Sequence, residues 1–316
     1  MRAWSAVQRS LAPYLVLGAV GLCWSGGWIV LKVAVATAPP LEFAAVRFAG
    51  ASVLLLLILG LTRTPPAHRP VGALALSGLF GYFAYNALVF LGLTMAPASD
   101  AALIVPTTLP ALTAAAAVLV GERARRGAIA GLVVASLGAA LVVVGGDQSA
   151  AAEYPQRLLG DLLLLGGAVC WAIYTVLGTV TLRHASALAV VTTSTVIGAL
   201  LLFPLGFLEH GYADVATWSA GTWLAQGYVT VLQGVVSFVL FFWAVGRYGA
   251  GLASMTSYLV PLGTLALAII VLGERPAPIQ WAGGAVILVG VRLATRSRTR
   301  PPTAGETELA AASEAL

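Results

Sequence analysis

Trp24, Trp28 and Lys32 recur every four residues, so a helix containing them carries two indoles and one ammonium on a single face. A later segment places Trp171, Thr175 and Thr179 at the same spacing. Trp24 and Trp171 suit either a pair lining a shared cavity or ordinary helix packing, since indoles bury large apolar areas anywhere. Tyr82, Tyr85 and Asn86 form another group, matched further on by Gln233, Ser237 and Phe238. With Tyr174 and Tyr258 they would build an aromatic wall with amide handles, a surface suited to a neutral or zwitterionic small molecule. The competing reading is hydrogen bonding between helices, because an amide in hydrocarbon needs a partner.

Lys32 and Arg47 are the cations that fall within apolar stretches, where each costs about 2.5–3.5 kcal/mol at mid-membrane. Both are expected near one rim, where long side chains reach water. Glu42 and Arg47 are five apart and face different ways on a helix, so Glu42 is expected to meet Lys32 across a hairpin. Lys32, Glu42, Arg47 and Asp100 are read as structural anchors or as vestibule and coupling groups. Asp100 follows Ser99 at a helix start and also suits an N-terminal cap. Glu122 and Glu274 sit in tight turns and are expected to cap the helix that follows each.

The 12 carboxylates, and His68, His184 and His210, fall at helix ends, in connections or in the tail. No proton relay is expected at the midplane, so transport would be facilitative or coupled through a rim group such as Glu42 or Asp100. Pro106, Pro110 and Pro261 remove backbone donors inside apolar stretches and predict kinks, static or gating.

Reactive constellations are missing: there is no His-Glu-x-x-His, no midplane aspartate pair and no nucleotide-binding loop. An enzyme is therefore not expected, nor a cofactor. Cys23 and Cys170 lie deep in apolar stretches without metal-ligand spacing and are read as packing residues, so no metal is expected.

The elements that must position these residues follow from composition. The chain is 59% hydrophobic and 9% charged with mean hydropathy +0.94, far too little charge for a water-covered surface. Ten stretches are long enough to span hydrocarbon: 12–36, 41–61, 71–95, 99–120, 127–145, 158–182, 187–208, 220–245, 250–272 and 277–294. With the N-terminus inside, the inner face receives Arg2, Arg9, Arg63, Arg69, Arg123, Arg125, Arg126, Arg183, Arg247, Arg292, Arg296, Arg298 and Arg300. The outer face receives Arg157 and Arg275, an asymmetry that positive-inside retention produces. The net charge of +5 is thus a topology signal and implies no nucleic-acid partner.

Gly21-Leu22-Cys23-Trp24 and Ala168-Val169-Cys170-Trp171 read alike, as do Gly121-Glu122-Arg123 and Gly273-Glu274-Arg275. Residues 1–150 and 151–300 are therefore read as two copies of a five-helix unit, with 301–316 a disordered cytoplasmic tail. Five is odd, so the second copy must enter the membrane from the opposite side. The expected fold is an all-α integral membrane protein of ten transmembrane helices in a 5+5 inverted repeat, both termini cytoplasmic. Inverted repeats around a midplane site are the architecture of alternating-access carriers. Small residues at Gly131, Ala135, Gly138, Gly283, Gly284 and Gly290 allow close helix approach within one chain or between two, leaving monomer and homodimer both open.

Trp24 and Lys32, the run "PLEFAAVRF" from Pro40, "VPTTLPALTAAAAVLVGE" ending at Glu122 and "YLVPLGTLALAIIVLGE" ending at Glu274 resemble the EamA-type repeats of the drug/metabolite transporter superfamily. The resemblance covers residues 14–294. One departure is that Pro110 lies twelve residues before Glu122 whereas Pro261 lies thirteen before Glu274. It implies ten helices, an inner-membrane location and transport of amino acids, sugars, drugs or related metabolites. The expected function is a secondary exporter with the lipid bilayer and a small-molecule substrate as partners. A channel or a non-transporting scaffold is the alternative, ahead of an intramembrane enzyme.

Overall fold

Long apolar runs fold as helices because any other backbone leaves N–H and C=O groups unpaired in hydrocarbon. In the computed structural model, residues 2–119, 126–144, 154–237, 240, 241, 244 and 256–296 are described. Its first half contains α1 (Arg2–Val35), α2 (Pro40–Leu61), α3 (Val71–Ser77), α4 (Tyr85–Met95), α5 (Ala98–Leu119) and α6 (Arg126–Val144). The second contains α7 (Arg157–Thr181), α8 (Ala187–Glu209), α9 (Ala220–Gly227), α10 (Thr256–Leu272) and α11 (Pro278–Arg296). A π-helical stretch, Gly78–Ala84, joins α3 to α4 in one rod, and a second, Tyr228–Val236, continues α9.

Among the described residues there is no strand, and five helices are long and apolar enough to cross a membrane: Tyr14–Val35, Pro40–Leu61, Val71–Met95, Arg157–Gly178 and Ala187–Glu209. Leu22, Leu57, Leu200, Phe207, Leu208 and Ile270 stand exposed on the outer surface, the apolar belt that lipid covers. The interior is filled by Leu17, Phe43, Phe90, Leu93, Ile104, Leu164, Leu202 and Ile287, all fully buried.

Helix starts are closed partly from within and partly from elsewhere in the fold. Ser186 and Ser219 cap α8 and α9, their hydroxyls accepting from Ala189 N and Thr222 N. The start of α2 is capped by Glu209, whose Oε2 accepts from Leu41 N at 2.9 Å and Glu42 N at 3.0 Å. Likewise Glu274 accepts from Ala98 N and Ser99 N at 2.8 Å each. Glu274 therefore caps α5 rather than the helix that follows it, correcting the expectation from its turn. Asp100 is correspondingly displaced from the capping role, because its buried carboxylate turns to Arg157 and Gln280. Glu122 lies outside the described residues.

Pairing between the halves has a regular form. α5 packs on α7 and α1 on α10; α4 packs on α7 and the second π-helical stretch on α1; α2 lies along α8 and α6 along α11. The α6–α11 contact brings backbones together. A Cβ on Gly283 would lie 2.8 Å from the Gly138 carbonyl oxygen, and one on Gly290 would lie 2.5 Å from Ala135 N.

Candidate functional site

The two π-helical stretches carry Tyr82 and Gln233, with Tyr85 and Asn86 just after the first and Ser237 just after the second. Widening a turn to i→i+5 bonding inserts one residue and re-aims the side chains on either side, which is why such bulges recur at functional sites. Ser237 Oγ donates to Leu232 O, five residues back, at 2.7 Å, so this hydroxyl is engaged with backbone. Glycines let partners approach: a Cβ at Gly81 would come 2.5 Å from the Tyr174 ring, and one at Gly27 would collide with the Gln233 side chain.

The first wall joins the Gly78–Ala84 rod to α7. Tyr82 Oη and Tyr174 Oη are 3.3 Å apart, with their rings edge-on at 5.5 Å. Tyr85 lies 4.9 Å from Trp171, and Trp171 lies 5.1 Å from Tyr174. Asn86 is buried and donates from Nδ2 to Tyr82 O at 2.8 Å, bracing the tyrosine's backbone. The second wall joins α1 and α2 to the Tyr228–Val236 stretch. Trp24 Nε1 donates to Gln233 O at 3.3 Å, Arg47 Nη2 donates to Gln233 Oε1 at 3.2 Å, and Tyr228 Oη donates to Cys23 O at 3.0 Å. Phe48 connects the walls, with Tyr82 edge-on at 5.8 Å and the Arg47 guanidinium 5.0 Å from its ring.

Arg47 is thus placed with Gln233, not with the rim groups among which it was expected. Trp28 is buried in the main apolar core. Phe238 and the side chains of Tyr258 and Pro110 lie outside the described residues. Pro106 is half-buried and Pro261 buried, and α5 and α10 run on as helix through both.

The expected Lys32–Glu42 pair does not form. Lys32 Nζ donates to Leu93 O and Ala96 O at 2.6 Å each and lies 4.4 Å from the centre of the Tyr154 ring. The end of α4 exposes carbonyls with no intrahelical partner and carries the negative end of the helix dipole, so it competes well for an ammonium. Glu42 instead accepts from Tyr212 N at 3.0 Å. Burial, together with the nearby Glu42 and Glu209 carboxylates, pushes the Tyr212 phenol up to about 12, so it stays neutral and donates to Phe203 O at 2.8 Å.

A further group escaped the sequence reading. Arg157 Nε lies 2.6 Å from Asp100 Oδ2 and 4.0 Å from Asp161 Oδ2, and both aspartates are fully buried. Asp161 was assigned to a helix end, but it lies a full turn inside α7. The Arg157/Asp161 spacing of four within an apolar helix was the signal that could have found it.

The pattern of the EamA-like transporter family matches residues 11–144 and again residues 158–296. The chain belongs to the EamA-like transporter family. An "Uncharacterized transporter" of Archaeoglobus fulgidus is 28% identical over 287 residues, covering 89% of this chain and 96% of that protein. The "Probable terminal-alkyne amino-acid exporter" of Streptantibioticus cattleyicolor is 30% identical over 252 residues, covering 79% and 82%. The "Uncharacterized inner membrane transporter YedA" of Escherichia coli K12 is 27% identical over 290 residues, covering 91% and 92%. A solved structure titled "Crystal structure of protein" superposes with a TM-score of 0.59 at 23% identity, covering 90% of this chain and 96% of that one, a likeness of fold alone. This EamA-like protein is accordingly a multi-pass plasma-membrane protein, and its family and relatives are transporters rather than enzymes.

Proposed function

We propose that this protein is a secondary exporter of small neutral or zwitterionic metabolites, amino acids foremost, working by alternating access between two inverted five-helix halves. The observation that carries this reading is the exchange relation of the two walls. In each, a π-helical stretch of one half meets a tryptophan-bearing helix of the other: Tyr82 meets Tyr174 on the helix of Trp171, and Gln233 meets Trp24. Two similar walls that can trade conformations would open one site alternately to each side. The end contacts support opposite threading, because the Lys32 end of α1 and the Arg157 end of α7 approach the same ring, Tyr154.

Trp24, Tyr82, Tyr85, Asn86, Trp171, Tyr174 and Gln233 would contact substrate, with Arg47 and Gln233 offering polar handles to a carboxylate or carbonyl. The Streptantibioticus relative's printed name supports an amino-acid substrate and the outward direction. Propargylglycine, an amino acid with a terminal alkyne, is the probe. Proteoliposomes should show saturable propargylglycine counterflow, and an expressing strain should tolerate higher concentrations of it. Flux that rises linearly without saturation favours a channel, and hypersensitivity of the strain favours import.

A further inference from the structure

The Asp100–Arg157–Asp161 group lies apart from the two walls and joins the halves where α5, α7 and α11 meet. Arg157 Nε donates to Asp100 Oδ2, Gln280 Nε2 donates to Asp100 Oδ1, and Gln280 Oε1 accepts from Ala277 N at 2.7 Å. Asp100 is fully served by this clasp, whereas Asp161 is not. Both Asp161 oxygens are buried without a hydrogen-bond donor, and Arg157 Nη2 is buried without an acceptor. Arg157 Nε, 4.0 Å from Asp161 Oδ2, is beyond hydrogen-bond reach of it and already given to Asp100 Oδ2. Two carboxylates can share a hydrogen bond only if one carries a proton.

Charge counting gives the same answer. One guanidinium balances one carboxylate, and a second ionised carboxylate buried without donors is among the most costly arrangements a protein can hold. Among the described residues, the other charges at this end do not relieve it. Glu274 adds negative charge from the turn after α10, Lys32 is engaged by Leu93 O, Ala96 O and the Tyr154 ring, and Arg275 is exposed. A metal cation would have to sit against the guanidinium, and among the described residues no group of three or more His, Cys, Asp or Glu is placed to hold a metal ion. A cavity of about 130 Å³ lined by Thr94, Met95, Tyr154, Pro155 and Gln156 lies next to Arg157 along the chain.

We infer that Asp161 is a proton-binding site whose occupancy is tied to closure of this end of the molecule. With the clasp closed, Asp100 is ionised against Arg157 and Asp161 holds one proton toward Asp100, leaving the group neutral. When α5 and α11 separate from α7, water reaches Asp161 through the adjoining cavity, the carboxyl ionises, and one proton leaves to that side. Each opening then releases one proton and each closing takes one up from the same side, so lowering the pH on that side favours the closed state. The proton site itself is independent of which substrate is carried.

Infrared spectroscopy of the full-length protein in lipid vesicles, labelled with carbon-13 aspartate, tests the site directly. Asp100, Asp147, Asp161 and Asp214 are the chain's aspartates, so few groups contribute. The expected spectrum at neutral pH holds a protonated-carboxyl carbonyl band that disappears in Asp161→Asn and shifts in Asp161→Glu, the variant that keeps a titratable group should the amide impair folding. Absence of the band in the native protein, or its persistence unchanged in both variants, overturns the inference. In proteoliposomes, propargylglycine exchange by the native protein should fall as the pH on the Tyr154 side is lowered, while exchange by Asp161→Asn should not respond to that pH. An unchanged pH response in Asp161→Asn also overturns it. If the native protein moves no propargylglycine, the substrate reading fails and the infrared band alone decides the proton site.

Discussion

Gln233 receives Arg47 through its side chain and Trp24 through its carbonyl, so one residue of the second π-helical stretch ties α1 and α2 together. Gln233→Ala should leave the half-buried guanidinium short of an acceptor, a loss of about 1.5–3 kcal/mol for a hydrogen bond to a charged group. The check is a lowered thermal midpoint in detergent, with reduced counterflow; Gln233→Glu should restore the midpoint, since it pairs with Arg47. Trp24→Ala and Asn86→Ala should lower transport without lowering membrane yield, and unchanged kinetics would remove them from the site. At this scale the sequence was legible in residue type but not in depth. Tyr82, Tyr85 and Tyr174 are expected in one wall with Gln233, and Trp171 in a pair with Trp24; the tyrosines gather around Trp171, because aromatic residues at helical spacing share a face, while Gln233 and Trp24 stand together in the other wall. Arg47 was misplaced because spacing gives a residue's angle on its own helix and says nothing of the partner helix, here the Gln233 bulge, that draws it inward.

The helices themselves were easier to read than their residues. The stretches expected at 41–61, 71–95 and 99–120 are found at Pro40–Leu61, Val71–Met95 and Ala98–Leu119, because sustained apolar length leaves the backbone one folding choice. What sequence could not show was the pair of π-helical stretches, since a bulge wins over the α-turn only through tertiary contacts such as Tyr174 against Gly81. Caps supplied from distant helices were hidden for the same reason: Glu274 approaches α5 through the fold and not along the chain. Glu274→Ala should therefore cost about 0.5–2 kcal/mol, the usual worth of a helix N-cap, read as a lower thermal midpoint in lipid or detergent. In α11, Gly290→Ala drives a methyl against the α6 backbone at Ala135, and overpacking of this kind costs about 1–3 kcal/mol. Lower yield and thermal midpoint are expected, while Gly18→Ala, with nothing within 4 Å of the added methyl, should behave like the native protein.

Taken as a whole, the molecule pairs α5 with α7 as it pairs α10 with α1, and sets a π-helical stretch of one half beside a tryptophan helix of the other in both directions. Alternating access depends on those halves being threaded through the bilayer in opposite senses. Cysteine accessibility measures this directly, once Cys23 and Cys170 are replaced by alanine. A single cysteine at Arg275, an exposed position, and another at Arg123 mark the two Gly-Glu-Arg motifs of the sequence. A membrane-impermeant maleimide should label Arg275→Cys in intact cells and Arg123→Cys only after permeabilisation. Labelling of both from the same side would contradict the inverted arrangement and, with it, the carrier mechanism.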